Sequence, residues 1–312
     1  MNKVTVCITS FNRPTFLCEA IESVIKQSIK PDDIIIFDNG SLPDVYKSVT
    51  NKFGNNINWV GSDYNMPGSL NFQRAINSVN SEFVLLLHDD DRIMEDYIKL
   101  QLEQMERDPS IIALSCNGYH IDKNGKRLNT LVLPTRDNNR FQYFKSSSEV
   151  ALKYVSNSCI PFSPILYRTI SVKNINFREE FGKVCDVVFL CDLADIGTVA
   201  INNAILYECR IHSEQDSIFF SNETTERLEI FLLSRFKKNE KKLLNSFNKS
   251  LEINYTARHL KNALVIFKKN NSEFSFFNYI IQTKLKKFRI SLAIILIFSQ
   301  FKKNILKFIY DK

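Results

Sequence analysis

Strand-like and helix-like patterns alternate along the first third of the chain. Val4, Val6 and Ile8 alternate as strand residues do. Phe16/Leu17, Ala20/Ile21 and Val24/Ile25 then recur every fourth residue, as one face of a helix does. Ile34-Ile35-Ile36-Phe37 is a short apolar run of the kind covered on both faces in a parallel sheet, and Asp38-Asn39-Gly40-Ser41 ends it as a turn. Trp59-Val60 predicts a short third strand, Asn71 to Ser78 a helix, and Phe83-Val84-Leu85-Leu86-Leu87 a fully buried fourth strand. Met94, Ile98, Leu102 and Met105 trace a helical stripe that Asp108-Pro109 ends. This alternation predicts a doubly wound α/β sheet with crossover helices.

The middle of the chain is less regular. Ile111 to Ile121 and Lys126 to Leu133 flank Lys123-Asn124-Gly125, which predicts a hairpin with an Asn-Gly turn. Pro134 to Ser148 reads as a polar loop. A helix follows Asp186 and stops at Gly197, and Ala204 to Ile211 predicts a late strand. From Asn222 onward the pattern is helical and basic, which divides the chain into an α/β part, residues 1–222, and a basic, mainly helical part, residues 223–312.

Charge follows the same division. Residues 223–312 carry 19 Lys+Arg against 7 Asp+Glu, so the remaining 222 residues are net acidic although the whole chain is +7. Lys284 to Lys312 interleaves lysines with Ile, Leu and Phe. Its apolar stretch between Arg289 and Lys302 has 12 residues, short of the roughly 20 that a bilayer crossing needs. The segment suits either an anionic membrane surface or a helix packed on the body. Nothing in the pattern resembles a nucleic-acid-binding fold. Seven cysteines without paired spacing, several of them in strand-like runs, fit small core residues in a reducing compartment. Met1-Asn2-Lys3-Val4 runs straight into the first strand, so the expected location is cytoplasmic.

The chemistry gathers where strands end. His88-Asp89-Asp90-Asp91 follows the fourth strand directly. Ligands of open α/β sheets bind beyond the carboxyl ends of their strands, and adjacent carboxylates aimed into one crevice call for a cation. Hard oxygen ligands favour Mg²⁺ or Mn²⁺, commonly shared with substrate phosphates. Asp38 ends a neighbouring strand in the same way, so the two acidic positions can face one cleft.

Taken in order, these segments resemble the family 2 glycosyltransferases, inverting enzymes of the GT-A fold, a Rossmann-like mixed sheet flanked by helices. The resemblance rests on Val6-Cys7-Ile8-Thr9-Ser10-Phe11-Asn12-Arg13, Ile36-Phe37-Asp38-Asn39-Gly40-Ser41, Asn65-Met66-Pro67-Gly68 with Asn71-Phe72-Gln73-Arg74-Ala75, and Leu87-His88-Asp89-Asp90-Asp91. Cys185-Asp186-Val187-Val188-Phe189 and Arg210-Ile211-His212 complete the series, which covers roughly residues 3 to 217. The resemblance implies that Thr9, Phe11, Arg13, Asp38, Asn71, Arg74 and Asp89 bind the nucleotide. It implies that Asp90 holds a Mn²⁺ or Mg²⁺ ion, with His212 in the core or at the metal-diphosphate, and that Asp186 is the catalytic base. His88 stands where many relatives carry an aspartate. The implied partners are a nucleoside-diphosphate sugar donor and an oligosaccharide or lipid-linked glycan acceptor. The implied setting is polysaccharide, lipopolysaccharide or capsule synthesis, peripheral to the inner face of the cytoplasmic membrane.

Simpler structural roles compete at each position. Asp38 can start an Asx turn before Gly40. Asp91 is expected to cap the following helix. Asp186 can be an N-cap with a lowered pKa, in which case Asp192, Glu179 or Glu180 would take the base role. His120 and His259 read as structural or exposed. Two other functions compete: a sugar-nucleotide pyrophosphorylase, which Thr9 to Pro14 disfavours because it has no glycine, and a non-catalytic nucleotide-sugar-binding membrane-associated protein, which the acidic residues disfavour.

Overall fold

The structure is a computed structural model that describes residues 3–133, 139–156, 159–212 and 222–251. Two compact units divide the chain: residues 1–154 with 158–240, and residues 155–157 with 241–312. The first holds every strand described below. In the second, residues 241–251 are helical, and the basic tail from Lys284 lies outside the described residues.

β1 (Val4–Ser10), β2 (Asp33–Asp38), β3 (Asn58–Val60) and β4 (Phe83–His88) form the parallel half of one sheet, joined by helices α1 (Pro14–Ile25), α2 (Pro43–Phe53) and α3 (Gly68–Ser78). Val6, Ile8, Leu85 and Leu87 are fully buried here, so burial on both faces accounts for the continuous apolar runs. Residues equivalent across the sheet end together: Ser10 pairs with Asp38, and Thr9 with His88. Asp38 and the acidic cluster therefore emerge at one edge.

β5 (Arg92–Ile93), α4 (Tyr97–Arg107), β6 (Ile111–Ile121), β7 (Arg127–Leu131), β8 (Phe141–Phe144), α5 (Ser147–Val155), β9 (Ile165–Arg168), α6 (Thr169–Val172), α7 (Cys185–Ala194), β10 (Thr198–Arg210) and α8 (Asn222–Ser234) follow. The sheet order is β3-β2-β1-β4-β9-β6-β10-β5, with β7 on β6 and β8 on β10. β9 runs antiparallel between β4 and β6, so the sheet is mixed. The predicted hairpin is β6–β7, and Gly125 takes the positive φ of 78° that its turn requires.

This order forces the sheet to curl. β4 and β5 are four strand spacings apart along it, about 19 Å if the sheet were flat. The three residues between them reach at most about 15 Å from His88 to Arg92. Register shifts in β10 at Asn202/Ile205 and Ile205/Tyr207 supply the bend. The acidic loop sits where the curled sheet closes on itself.

Residues 43–53, for which no element is predicted, are a helix whose buried Val45, Val49 and Phe53 recur every fourth residue. Three local expectations are corrected. The segment read as a polar loop, 134–148, contains β8 and the start of α5. The late strand begins at Thr198, ahead of Ala204, because buried Asn202 is satisfied by donating to Gln101 Oε1 at 3.1 Å. Asp91 does not cap a helix: β5 intervenes, and α4 starts at Tyr97 behind Asp96.

Candidate active site

The β1–α1 loop and the β2 turn are stitched together. Asn12, at φ 52°, donates its amide to Ser41 Oγ at 2.8 Å and accepts from the Leu42 amide at 2.8 Å. Asn39 donates to Asn65 Oδ1 and to the Met66 carbonyl, both at 2.8 Å. Gly40 has φ 83°, and a Cβ there would lie 2.6 Å from the Tyr64 carbonyl carbon, so only glycine fits this turn.

Asp38 is buried within this turn. One of its oxygens accepts from the Ser41 amide, three residues on, at 3.0 Å, so the carboxylate braces its own turn. The other, Oδ1, is buried without a partner among the described residues, a costly state that a ligand donor would relieve. Asn71 donates to the Phe37 carbonyl at 2.9 Å and leaves its own Oδ1 in the same condition. Arg74 donates to the carbonyls of Gly61 at 3.0 Å, Asp38 at 2.7 Å and Val60 at 3.2 Å, bracketing the ends of β2 and β3. Asn71 and Arg74 thus brace the backbone at the end of β2, on either side of Asp38.

The three carboxylates of the acidic loop have different surroundings. Asp89 is fully buried; it accepts from Ser10 Oγ at 2.8 Å and the Phe11 amide at 3.3 Å, and pairs with Arg13 Nη2 at 2.7 Å. Burial pushes its carboxyl upward against the pull of Arg13. Asp90 is also taxed by burial, but His88, Arg13 and His212 outweigh this and hold its carboxyl below the ordinary range. Arg13 Nη1 and His212 Nε2 both lie 3.0 Å from Asp90 Oδ2. Asp91 is raised by burial and by the Asp90 charge, and accepts from the Arg210 amide at 3.1 Å.

His88, Asp90 and Asp91 offer ligand atoms within 4.8 Å of one another. Two carboxylates and an imidazole suit Mn²⁺, and the carboxylates suit Mg²⁺, so these residues fit a divalent cation. His212 meets this group through Asp90. Thr9 lies half-buried beside His88 across the β1–β4 pair.

An aromatic cluster underlies His88. Phe72 lies 5.4 Å from the His88 ring and 5.3 Å from Phe162, and Phe177 stacks on Phe189 at 4.0 Å. Phe189 belongs to α7, which is buried at every position except Asp186. Asp186 sits in the first turn, where its Oδ1 accepts from the Val187 amide at 2.8 Å. Burial nevertheless raises its pKa to about 6. The expected rivals are placed differently: Glu179 and Glu180 are exposed, and Asp192 is clamped by Arg178 at 2.8 Å and Arg235 at 3.4 Å. His120 lies 3.1 Å from Thr130 Oγ1 on the hairpin, and His259 is outside the described residues.

The family model described as glycosyl transferase family 2 matches residues 5–171, which is over half of the chain. The chain belongs to glycosyl transferase family 2. An uncharacterized glycosyltransferase of Rickettsia typhi is 24% identical over 272 residues, 86% of this chain and 80% of its own length. Chondroitin synthase of Escherichia coli is 21% identical over 217 residues, 69% of this chain and 30% of its own. The GalNAc(5)-diNAcBac-PP-undecaprenol beta-1,3-glucosyltransferase of Campylobacter jejuni is 28% identical over 107 residues, 33% and 35%. The family 2 chain thus spans about a third or less of the length of most of the curated relatives it matches. Among solved structures, S. aureus TarS 1–349 in complex with UDP-GlcNAc superposes with a TM-score of 0.61 at 19% identity, over 80% of this chain and 72% of that one. That likeness establishes the shared fold.

The sequence overlooked Arg210 as more than part of a motif. Arg210 is fully buried, which no sequence pattern announces; its place at the end of an apolar late strand was the one signal available.

Proposed function

We propose that this chain transfers a sugar from a nucleoside diphosphate to a glycan or lipid-linked acceptor hydroxyl, with inversion at the anomeric carbon. The observation that carries this reading is the division of labour among carboxylates. Asp38 keeps a buried oxygen without a partner, Asp90 is held ionised, and Asp186 is held near neutrality. Asp38 Oδ1 accepts from the base or ribose of the donor, and Thr9 and Phe11 of the β1–α1 loop are the further candidates for nucleotide contact. His88, Asp90 and Asp91 would hold a Mn²⁺ or Mg²⁺ ion, with His212 and Arg13 fixing the Asp90 carboxylate. When bound there, the ion neutralises charge growing on the departing diphosphate. Asp186 takes the proton of the acceptor hydroxyl; the acceptor oxygen bonds to the anomeric carbon, and the bond to the diphosphate breaks with its electrons. A base titrating near 6 is ionised at neutral pH yet retains proton affinity, which suits general-base work. No covalent intermediate on the enzyme is needed.

Two similar proteins support the ligand class: a structural neighbour in complex with UDP-GlcNAc and a relative that acts on an undecaprenol-linked glycan. No helix among the described residues is long and apolar enough to cross a membrane. The basic segment from Lys284 supports attachment at a membrane surface, on its sequence alone.

The test is thermal unfolding with UDP, GDP or dTDP, with and without Mn²⁺, followed by a panel of sugar nucleotides assayed for transfer and hydrolysis. A metal-dependent rise in Tm with one nucleotide is expected. No shift with any nucleotide refutes the reading.

A further inference from the structure

The end of β10 carries a second device that reaches the acidic loop. Arg210 is completely buried, the largest side chain so enclosed among the described residues. Its backbone amide donates to Asp91 Oδ1 at 3.1 Å, and its Nε donates to the Asp90 carbonyl at 2.9 Å. Nη1 donates to the carbonyls of Asp122 and Lys123 at 3.2 and 3.3 Å, in the β6–β7 turn. Nη2 pairs with Glu19 Oε2 of α1 at 2.6 Å, and the guanidinium lies 4.5 Å over the Phe16 ring. One side chain therefore joins the acidic loop, the first helix and the hairpin turn.

We propose that Arg210 is a positioning residue for the acidic loop. Its side chain holds the Asp90 backbone, and so the loop that carries Asp90 and Asp91, in the arrangement that binds a divalent cation. This deepens the reading above and rests on it. The geometry favours this over a purely packing role. The Arg210 side chain bonds the Asp90 carbonyl beside the bond that the residue-210 backbone amide gives Asp91, and His212, two residues on, contacts the Asp90 carboxylate from the same strand end. Asp90 is thus gripped by β10 at both its backbone and its side chain. Glu19 has a different duty. It also pairs with Arg92 at 3.2 Å, and Arg92 pairs with Glu208 at 2.7 Å, so the charge network survives without Arg210.

The guanidinium geometry matters here. A lysine keeps the positive charge beside Glu19, but its donors all radiate from one nitrogen and cannot span the positions that Nε, Nη1 and Nη2 reach. Outer-shell partners of metal ligands typically cost 10- to 100-fold in metal affinity when removed.

The experiment uses the full chain with Mn²⁺ as probe. Bound Mn²⁺ is read from loss of the free-ion electron paramagnetic resonance signal, with and without UDP, and global stability from urea unfolding. Arg210→Lys and Arg210→Gln are compared with Glu19→Gln. The expected result is Mn²⁺ binding weakened about tenfold or more in the Arg210 variants, with UDP binding in the absence of metal unchanged. Glu19→Gln should keep its Mn²⁺ affinity within about twofold whatever stability it loses. If all three variants lose Mn²⁺ affinity in proportion to lost stability, Arg210 only supports packing and the proposal fails. If neither Arg210 variant folds, Arg210 is a folding residue and the proposal fails equally. A wild-type chain that binds no Mn²⁺ even with UDP overturns the cation reading itself, an outcome distinct from a failure confined to Arg210.

Discussion

Asp186 gives the sharpest prediction because its two proposed properties pull in opposite directions. Its pKa in the folded chain is about 6, against 3.8 for an ordinary aspartate, because burial penalises the charge. A carboxyl with a raised folded pKa carries a penalty that is absent well below pH 3.8. The penalty grows as pH rises between the two values and is complete above about pH 6. The shift corresponds to about 3 kcal/mol at pH 7.5, and the solvent reaching this half-buried group reduces that to about 1–2 kcal/mol. Asp186→Asn removes the charge and keeps an oxygen to accept the Val187 amide. It should therefore be stabilised relative to the wild type by an amount that grows with pH. Urea unfolding of both proteins at pH 4 and pH 7.5 isolates the effect, because any constant cost of the amide cancels in the difference. The same variant should lose sugar transfer while retaining nucleotide binding, and wild-type kcat/KM should fall about tenfold per pH unit below 6. A stability difference that does not change with pH would show that Asp186 ionises in the fold as it does in water. The N-terminal end of α7 would then have offset burial, and the base assignment would lose its physical support.

Asp38→Asn should weaken UDP binding about 10- to 100-fold by calorimetry, since it replaces a charged acceptor of a nucleotide donor; unchanged affinity would return Asp38 to its turn role alone. Gly40→Ala should cost more than about 1 kcal/mol in urea unfolding, because φ 83° and the Tyr64 carbonyl both exclude a Cβ. Arg13→Met strands the buried Asp89 carboxylate and should cost about 2–3 kcal/mol at pH 7.5. That loss should shrink as pH falls, because protonating Asp89 removes the unpaired charge. Deleting residues 284–312, with their eight basic side chains, should release the chain from anionic vesicles in a sedimentation assay. Undiminished vesicle binding would assign the tail another role.

How legible each part was depended on how local its cause is. β1, β2 and β4 were readable because strands buried on both faces leave continuous apolar runs, and the acidic residues at their ends were readable with them. α2 was missed because only three of its positions are buried and the remainder are polar. β9 is four residues long and lies between β4 and β6 by long-range antiparallel pairing that no local pattern announces. β10 was cut short because Asn202 looks like an interruption, while in the fold it is paid for by Gln101. Asp91 was misread for a related reason. A run of aspartates before a helical stripe resembles a cap, but β5 draws the chain across to β10 first.

That detour explains why the acidic loop can hold three like residues in three states. Asp89 faces β1 and the Arg13 loop, Asp91 faces the Arg210 amide on β10, and Asp90 lies between them with Arg13 on one side and His212 on the other. The charges that favour ionisation converge on Asp90, and its carboxylate in turn raises its neighbours. A linear Asp-Asp-Asp sequence cannot encode this difference. It arises because a three-residue connection is stretched between the two sides of a curled sheet, each supplying its own partners. The chemistry of the loop is thus set as much by the bulges of β10, which bring Arg210 and His212 to it, as by the aspartates themselves.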